Sequence, residues 1–297
     1  MSITSIVNAL EILKEIEKEK EKVFKLPISK LEIKSAPLIG EDDELIKRAY
    51  KTSSDYIEVL ASIASKRIKV KNENGEFVKL DKNELAKKIA LDELNTLIYA
   101  LLVSTYEEAK NVKFICENCA LENTIEKIKY EEFKLTSKIW DKEKPFTEYI
   151  KKVNLDIASK YTLNFYLKYP SLYEGIQVNK IIERSVKSLD EYIELPLPLY
   201  LLNFVDKIEI IINESGNGND NNNNKNVMSY DNKIDIKTIL EKLDYRILNY
   251  VKDEYLNEFK DYIPRYSTKV ICSKCGKENE IYLNPEIALI NKIFGNE

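Results

Sequence analysis

Four cysteines, and no fifth, stand in two Cys-x-x-Cys pairs. Cys116 and Cys119 lie in ICENCALEN, and Cys272 and Cys275 lie in ICSKCGKEN. The arms are near copies. Each has an isoleucine before its first cysteine and a Glu-Asn pair after its second, Glu122-Asn123 and Glu278-Asn279. Each follows a β-prone run (Val112 and Phe114; Val270 and Ile271) and precedes another. This is strand, tight knuckle, strand, the sequence form of a zinc-ribbon arm. Two residues between cysteines let both thiolates face one ion. Zinc takes four ligands in a tetrahedron, so Cys116, Cys119, Cys272 and Cys275 would complete one closed, structural Zn²⁺ site. Cys119 and Cys272 are 153 positions apart, so a shared ion would staple mid-chain to chain end.

Other chemistry can use the same residues. A thioredoxin-like redox pair needs a helix N-terminus after the strand, and strand-like residues follow both pairs here. Disulfides between positions i and i+3 would be strained. An iron–sulfur cluster accepts the same ligand set. Two sites completed in trans by a homodimer are a further arrangement. Zinc shared by all four cysteines is the favoured reading.

Composition narrows the function classes. The chain has no histidine, which removes Ser-His-Asp and Cys-His nucleophile systems and His-ligated catalytic zinc. Only 7 glycines are present, with no Gly-rich phosphate loop, Walker, kinase or HExxH motif. Carboxylate pairs such as Asp42-Asp43 and Glu131-Glu132 read as caps and solvated surface, and no catalytic residue is assigned. The expectation is a non-enzymatic protein. A net charge of −4 weighs against a large nucleic-acid footprint. No apolar run reaches the ~20 residues of a membrane span, so a soluble, intracellular protein without membrane partners is expected.

Periodicity predicts a mainly α protein with a small β zinc ribbon, an α+β chain whose two knuckles close one metal site. Residues 4–24 read as an amphipathic helix with Ile6, Leu10, Leu13 and Ile16 on one stripe. Residues 26–38 alternate and suggest a short strand with turns. A helix is predicted from Gly40 to about Arg67, and another from an Asp81–Glu84 capping box to about Glu108. The apolar run at 97–103 should be buried. Residues 131–212 read as helical with proline breaks, with Tyr161, Phe165, Tyr166, Tyr169 and Tyr173 at helical spacing. The Asn-rich stretch at 215–226 should be a flexible exposed loop. A long helix is predicted near 234–262 and a short one at 286–294. The domain reading is 1–135 with the first arm, a helical insertion at 136–262, and 263–297 with the second arm.

The segments LPISKLEIKSAPLIGEDDELIKRAY and DELNTLIYALLVSTYEEAKNVKFICENCALENTIEKIKYEEF resemble the T-even-type bacteriophage baseplate hub assembly chaperone family. The matching positions are Asp92, Leu97, Ala100, Thr105, Tyr106, Cys116, Cys119, Glu122 and Asn123. Ala120 stands where the family pattern has glycine. The resemblance covers about 25–133 and the second arm at 266–283. It implies a viral tail-morphogenesis protein, either an assembly chaperone or a structural part of the baseplate hub. Its partners would be other baseplate and tail-hub proteins. It would work in the host cytoplasm during assembly or in the virion tail baseplate. A zinc-ribbon nucleic-acid-binding or transcription-regulatory protein is the alternative, because Lys269, Lys274 and Lys277 surround the second knuckle.

Overall fold

The computed structural model describes residues 11–13, 15–52, 56–157, 160–185, 195–212 and 226–295. The Asn-rich stretch up to residue 225, together with Ile6 and Leu10, lies outside them. Of the described residues, 44% are helical and 29% lie in strands forming four sheets. The protein is therefore an α+β mixture, and the mainly α expectation is wrong. No described helix is long and apolar enough to cross a membrane.

The chain divides into two compact units, one of residues 1–140 with 262–297 and the other of residues 141–261. In unit 1, residues 11–13 and 15–19 are helical. The predicted helix to residue 24 stops short, because β1 (Lys22–Lys25) pairs antiparallel with β2 (Glu32–Ser35). Next come α1 (Gly40–Thr52) and α2 (Tyr56–Arg67), two helices where one was expected. Strands β3 (Ile68–Lys71) and β4 (Phe77–Val78) complete a sheet in the order β1-β2-β3-β4. The turn between them uses Gly75 at φ 83°, a left-handed conformation that favours glycine.

Asp81 caps α3 (Lys82–Lys88), accepting from the Asn83 and Glu84 amides. The predicted capping box is present, but the helix lasts only seven residues. A new start at 91–93 leads into α4 (Leu94–Thr105). Ten of its twelve residues are buried, so it is apolar on every side and forms the centre of the unit. Glu93, fully buried, accepts the Ile28, Ser29 and Ala90 amides at 2.6, 2.8 and 2.9 Å. Those bonds tie the β1–β2 turn to the start of α4. Asp42 is buried beside Arg67, whose Nε donates to its carboxylate at 2.7 Å. The first ribbon arm follows as β5 (Glu108–Ile115) and β6 (Glu122–Lys129), and then the two-residue β7 (Lys134–Leu135).

Unit 2 corrects the helical reading of 131–212. Strands β8 (Ile150–Ile157) and β9 (Tyr161–Lys168) form an antiparallel hairpin. Phe165 and Leu167 are fully buried with half-buried Tyr166 between them, so Tyr161, Phe165 and Tyr166 lie on a strand rather than striping a helix. Helices α5 (Leu172–Ser185) and α6 (Leu197–Leu202) precede β10 (Val205–Ile212) and β11 (Asn226–Tyr230). The sheet order is β11-β10-β9-β8. The expected long helix is two, α7 (Lys233–Leu240) and α8 (Tyr245–Phe259). Asp244 restarts the second by accepting the Arg246 amide at 2.8 Å.

The core of unit 2 includes Phe204 stacked on Tyr255, with ring centroids 3.8 Å apart. Lys168 meets both Glu174 and Asp206 at 2.5 Å. Lys233 donates to the Leu202 and Val205 carbonyls at 3.0 and 2.7 Å. Burial, helped by the nearby Lys168 charge, lowers its pKa to about 8.

The chain returns to unit 1 with β12 (Tyr266–Ile271), β13 (Glu278–Leu283) and α9 (Pro285–Phe294). Strand β12 pairs with both β13 and β7.

Candidate metal centre

Each Cys-x-x-Cys pair sits on the turn of an antiparallel hairpin. Ile115 pairs with Glu122 in the first and Ile271 with Glu278 in the second, so the two knuckles have the same register. The knuckle bonds also match. Cys116 N–H donates to Leu121 C=O, and Cys272 N–H to Lys277 C=O, both at 2.9 Å. Ala120 N–H donates to Cys116 C=O at 2.9 Å, and Gly276 N–H to Cys272 C=O at 3.0 Å. The residue after the second cysteine is left-handed in both arms, Ala120 at φ 53° and Gly276 at φ 68°. The first arm thus places an alanine in a conformation that is costly for a residue with a Cβ.

The fold brings all four cysteines together. Their sulfurs lie within 4.8 Å of one another. Cys116 Sγ is 3.7 Å from Cys275 Sγ, and Cys119 Sγ is 3.7 Å from Cys272 Sγ. These distances are far longer than a disulfide bond of about 2.05 Å, and all four are free cysteines. Cys116 and Cys272 are buried, Cys119 is half-buried and Cys275 is exposed. Such a cluster can hold a metal ion.

Backbone amides prepare two of the sulfurs as thiolates. The Cys275 and Lys274 amides, with Asn123, lower the Cys272 pKa to about 6 against the opposing effect of burial. Burial raises that of Cys116, but the Cys119 and Asn118 amides outweigh it and the net shift is downward. At Cys119 the Leu121 amide lowers the pKa, yet burial and the neighbouring sulfurs carry it up to about 11. Four thiolates this close repel one another, and a cation between them removes that penalty.

Asn123 and Asn279, the second members of the two Glu-Asn pairs, lock the arms to each other. Asn123 Oδ1 accepts from Ser273 N–H and Ser273 Oγ, both at 2.9 Å. Asn279 Oδ1 accepts from Glu117 N–H at 3.0 Å. Each asparagine also donates to its own knuckle, Asn123 to Leu121 C=O and Asn279 to Lys277 C=O. Asn123 Nδ2 further reaches Cys272 Sγ at 3.6 Å. The exchange is reciprocal, so each arm orients the first cysteine of the other. The repeated Glu-Asn pair was visible in the sequence, but its role required both arms in place. Replacing Asn123 by alanine should cost about 1–3 kcal/mol, because the Ser273 amide loses its acceptor. Metal affinity should fall about 10–100-fold, as it does when partners of ligands are removed. Competition with a chromophoric chelator measures the second effect and denaturant melts the first.

Around the knuckles, exposed lysines are matched by glutamates across the strands. Lys113 meets Glu122 at 3.0 Å, Lys127 meets Glu108 at 2.9 Å, and Lys269 meets Glu278 at 2.7 Å. Comparison with protein-family models, curated proteins and solved structures finds no match to this chain.

Proposed function

We propose that this chain is a non-enzymatic protein of phage tail morphogenesis, an assembly chaperone or structural component of the baseplate hub, held together by one structural Zn²⁺. The observation that carries the metal reading is the sulfur quartet. A tetrahedral ion with metal–sulfur bonds of about 2.3 Å sets its ligands about 3.8 Å apart, which agrees with the 3.7 Å between the arms. Polynuclear iron–sulfur clusters distribute their thiolates over two or more irons, whereas this quartet suits a single ion. Once all four thiolates bind, no coordination position remains for water or substrate. The ion's chemistry is then charge neutralisation and cross-linking.

The tail-assembly reading draws its support from the sequence resemblance around Asp92–Asn123. Both resembling segments belong to unit 1, and the second contains the Cys116–Cys119 knuckle. A nucleic-acid role for the ribbon is the second reading. Lys269, one of the three lysines that favour it, is engaged by Glu278, and the cross-strand pairs leave the hairpins with little excess positive charge.

Quantitative mass spectrometry of a tagged-chain pull-down from phage-producing cells, beside purified particles, separates the readings. Tail-hub partners in cells with the chain absent from particles indicate a chaperone. A fixed copy number in particles indicates a hub subunit. Recovery of nucleic acid or RNA polymerase without tail proteins overturns the proposal.

A further inference from the structure

We propose that unit 1 carries a docking groove for an extended, acidic peptide segment of a partner protein, taken up as an added β-strand between the free edges of β1 and β7. This inference rests on the groove alone and holds or fails independently of the phage reading.

Strand β1 is the edge of its four-stranded sheet, and β7 is the edge of the β13-β12-β7 sheet. Both line one open groove of about 520 Å³. Their backbone polarity follows from the ladders. Leu26 N–H donates to Leu31 C=O at 2.8 Å, just beyond the β1–β2 pairing. Bonded and non-bonded pairs alternate in an antiparallel ladder. Phe24 and Lys22 therefore bond inward, and the N–H and C=O groups of Val23 and Lys25 point off the sheet edge. On the other side, Thr136 N–H donates to Arg265 C=O at 2.9 Å. By the same alternation, Leu135 directs its N–H and C=O away from β12. Among the described residues, two strand edges with unused donors and acceptors thus border one groove.

The floor is aromatic. Tyr99 and Tyr266 stack with centroids 4.0 Å apart, and the Phe24 ring meets Tyr99 edge-on at 6.0 Å. An added strand would set alternate side chains on this floor and the rest toward solvent. The rim decides the charge of the occupant. It holds Lys22, Lys25 and Lys134 against a single carboxylate, Glu131. Lys22 pairs with that carboxylate, and Lys134 donates to the Glu131 backbone carbonyl at 2.7 Å. Lys25 and Lys134 are left without a carboxylate partner among the described residues. On the β1 edge Val23 is 53% exposed between Lys22 and Lys25, an apolar position flanked by charge of one sign. Alternating apolar and acidic residues fit these features together.

The test uses the full-length, zinc-loaded chain and two blocked octapeptides, one alternating valine with glutamate and one alternating valine with lysine. The Val/Glu peptide should bind saturably and shift the amide resonances of Val23, Lys25 and Leu135. The Val/Lys peptide should bind at least tenfold more weakly. Val23→Pro and Leu135→Pro remove outward donors without touching the existing ladders, and each should weaken binding at least tenfold. Unchanged metal content and melting temperature would show these variants folded. If either fails to fold, Lys25→Glu with Lys134→Glu should reverse the preference between the peptides. Absence of saturable Val/Glu binding at millimolar concentration overturns the proposal. So does equal binding by folded proline variants, or an unchanged peptide preference in the charge-reversed variant.

Discussion

Serine at Cys116 or Cys275 should abolish stoichiometric metal binding and unfold the ribbon. Metal binding in small zinc peptides is worth an apparent 10–16 kcal/mol or so, comparable with the roughly 5–15 kcal/mol stability of a whole domain. The loss falls on the link between two arms that are 153 positions apart in sequence. No other ligand in the quartet can replace the missing thiolate, because each cysteine supplies one corner. Elemental analysis should fall from one metal ion per chain to none, and the melting temperature should drop by more than 10 °C, at about 2–4 °C per kcal/mol for domains of this size. A chelator should lower the wild-type transition toward that of the variants. Unchanged metal content and melting temperature in either variant would refute a shared four-thiolate site.

Glu93→Ala should be the most damaging substitution away from the cysteines. Its carboxylate is the acceptor for three amides, those of Ile28, Ser29 and Ala90. Each buried amide left unpaired costs about 1–3 kcal/mol. Water entering the space relieves part of that, which leaves a loss of about 3–5 kcal/mol and a fall in melting temperature of about 6–20 °C.

Glu93 also has a pH signature. Burial raises its pKa above the usual carboxylate value of 4.5 and outweighs the three amides. The folded state therefore takes up the proton before the unfolded chain does. The stability linked to this proton is fully present below pH 4.5 and is lost as pH rises through the folded pKa. Compared with Glu93→Gln, which cannot titrate, the wild type should gain relative stability on acidification from neutral pH toward 4.5. Denaturant midpoints of the two proteins across that range check the sign, and parallel profiles would place Glu93 at an ordinary pKa.

Some of the structure was readable residue by residue. The capping box at Asp81–Glu84, the turn around Gly75, the buried run at 97–103 and the terminal helix all follow from local rules. Each is decided within a few residues by a cap, a positive φ or an unbroken apolar stretch. The helical reading of 131–212 agrees with α5 and α6 but fails at β8, β9 and β10. Within it, KKVNLDI, YTLNFYL and VDKIEIII become strands only by pairing with one another. Helices α6 and α7 pack on β10 and α8 on β8, and burial along β9 and β10 departs from strict alternation, which blurs the period-two signal. The expected helix beyond residue 20 failed for a similar reason, since Lys22–Lys25 gains more from pairing with β2 than from extending a charged helix.

At the metal centre, the ligands and their two-by-two grouping came from the sequence alone. A closed tetrahedral thiolate site requires four sulfurs, and the chain contains only four. The absence of histidine likewise excludes several catalytic chemistries. Only the tertiary structure decided that both arms meet at one point. Only it showed that Asn123 and Asn279 clasp the opposite knuckle, and that β1 and β7 leave their edges free along one groove. Those features join positions more than a hundred residues apart, and a local pattern carries no information about which distant partner will satisfy it.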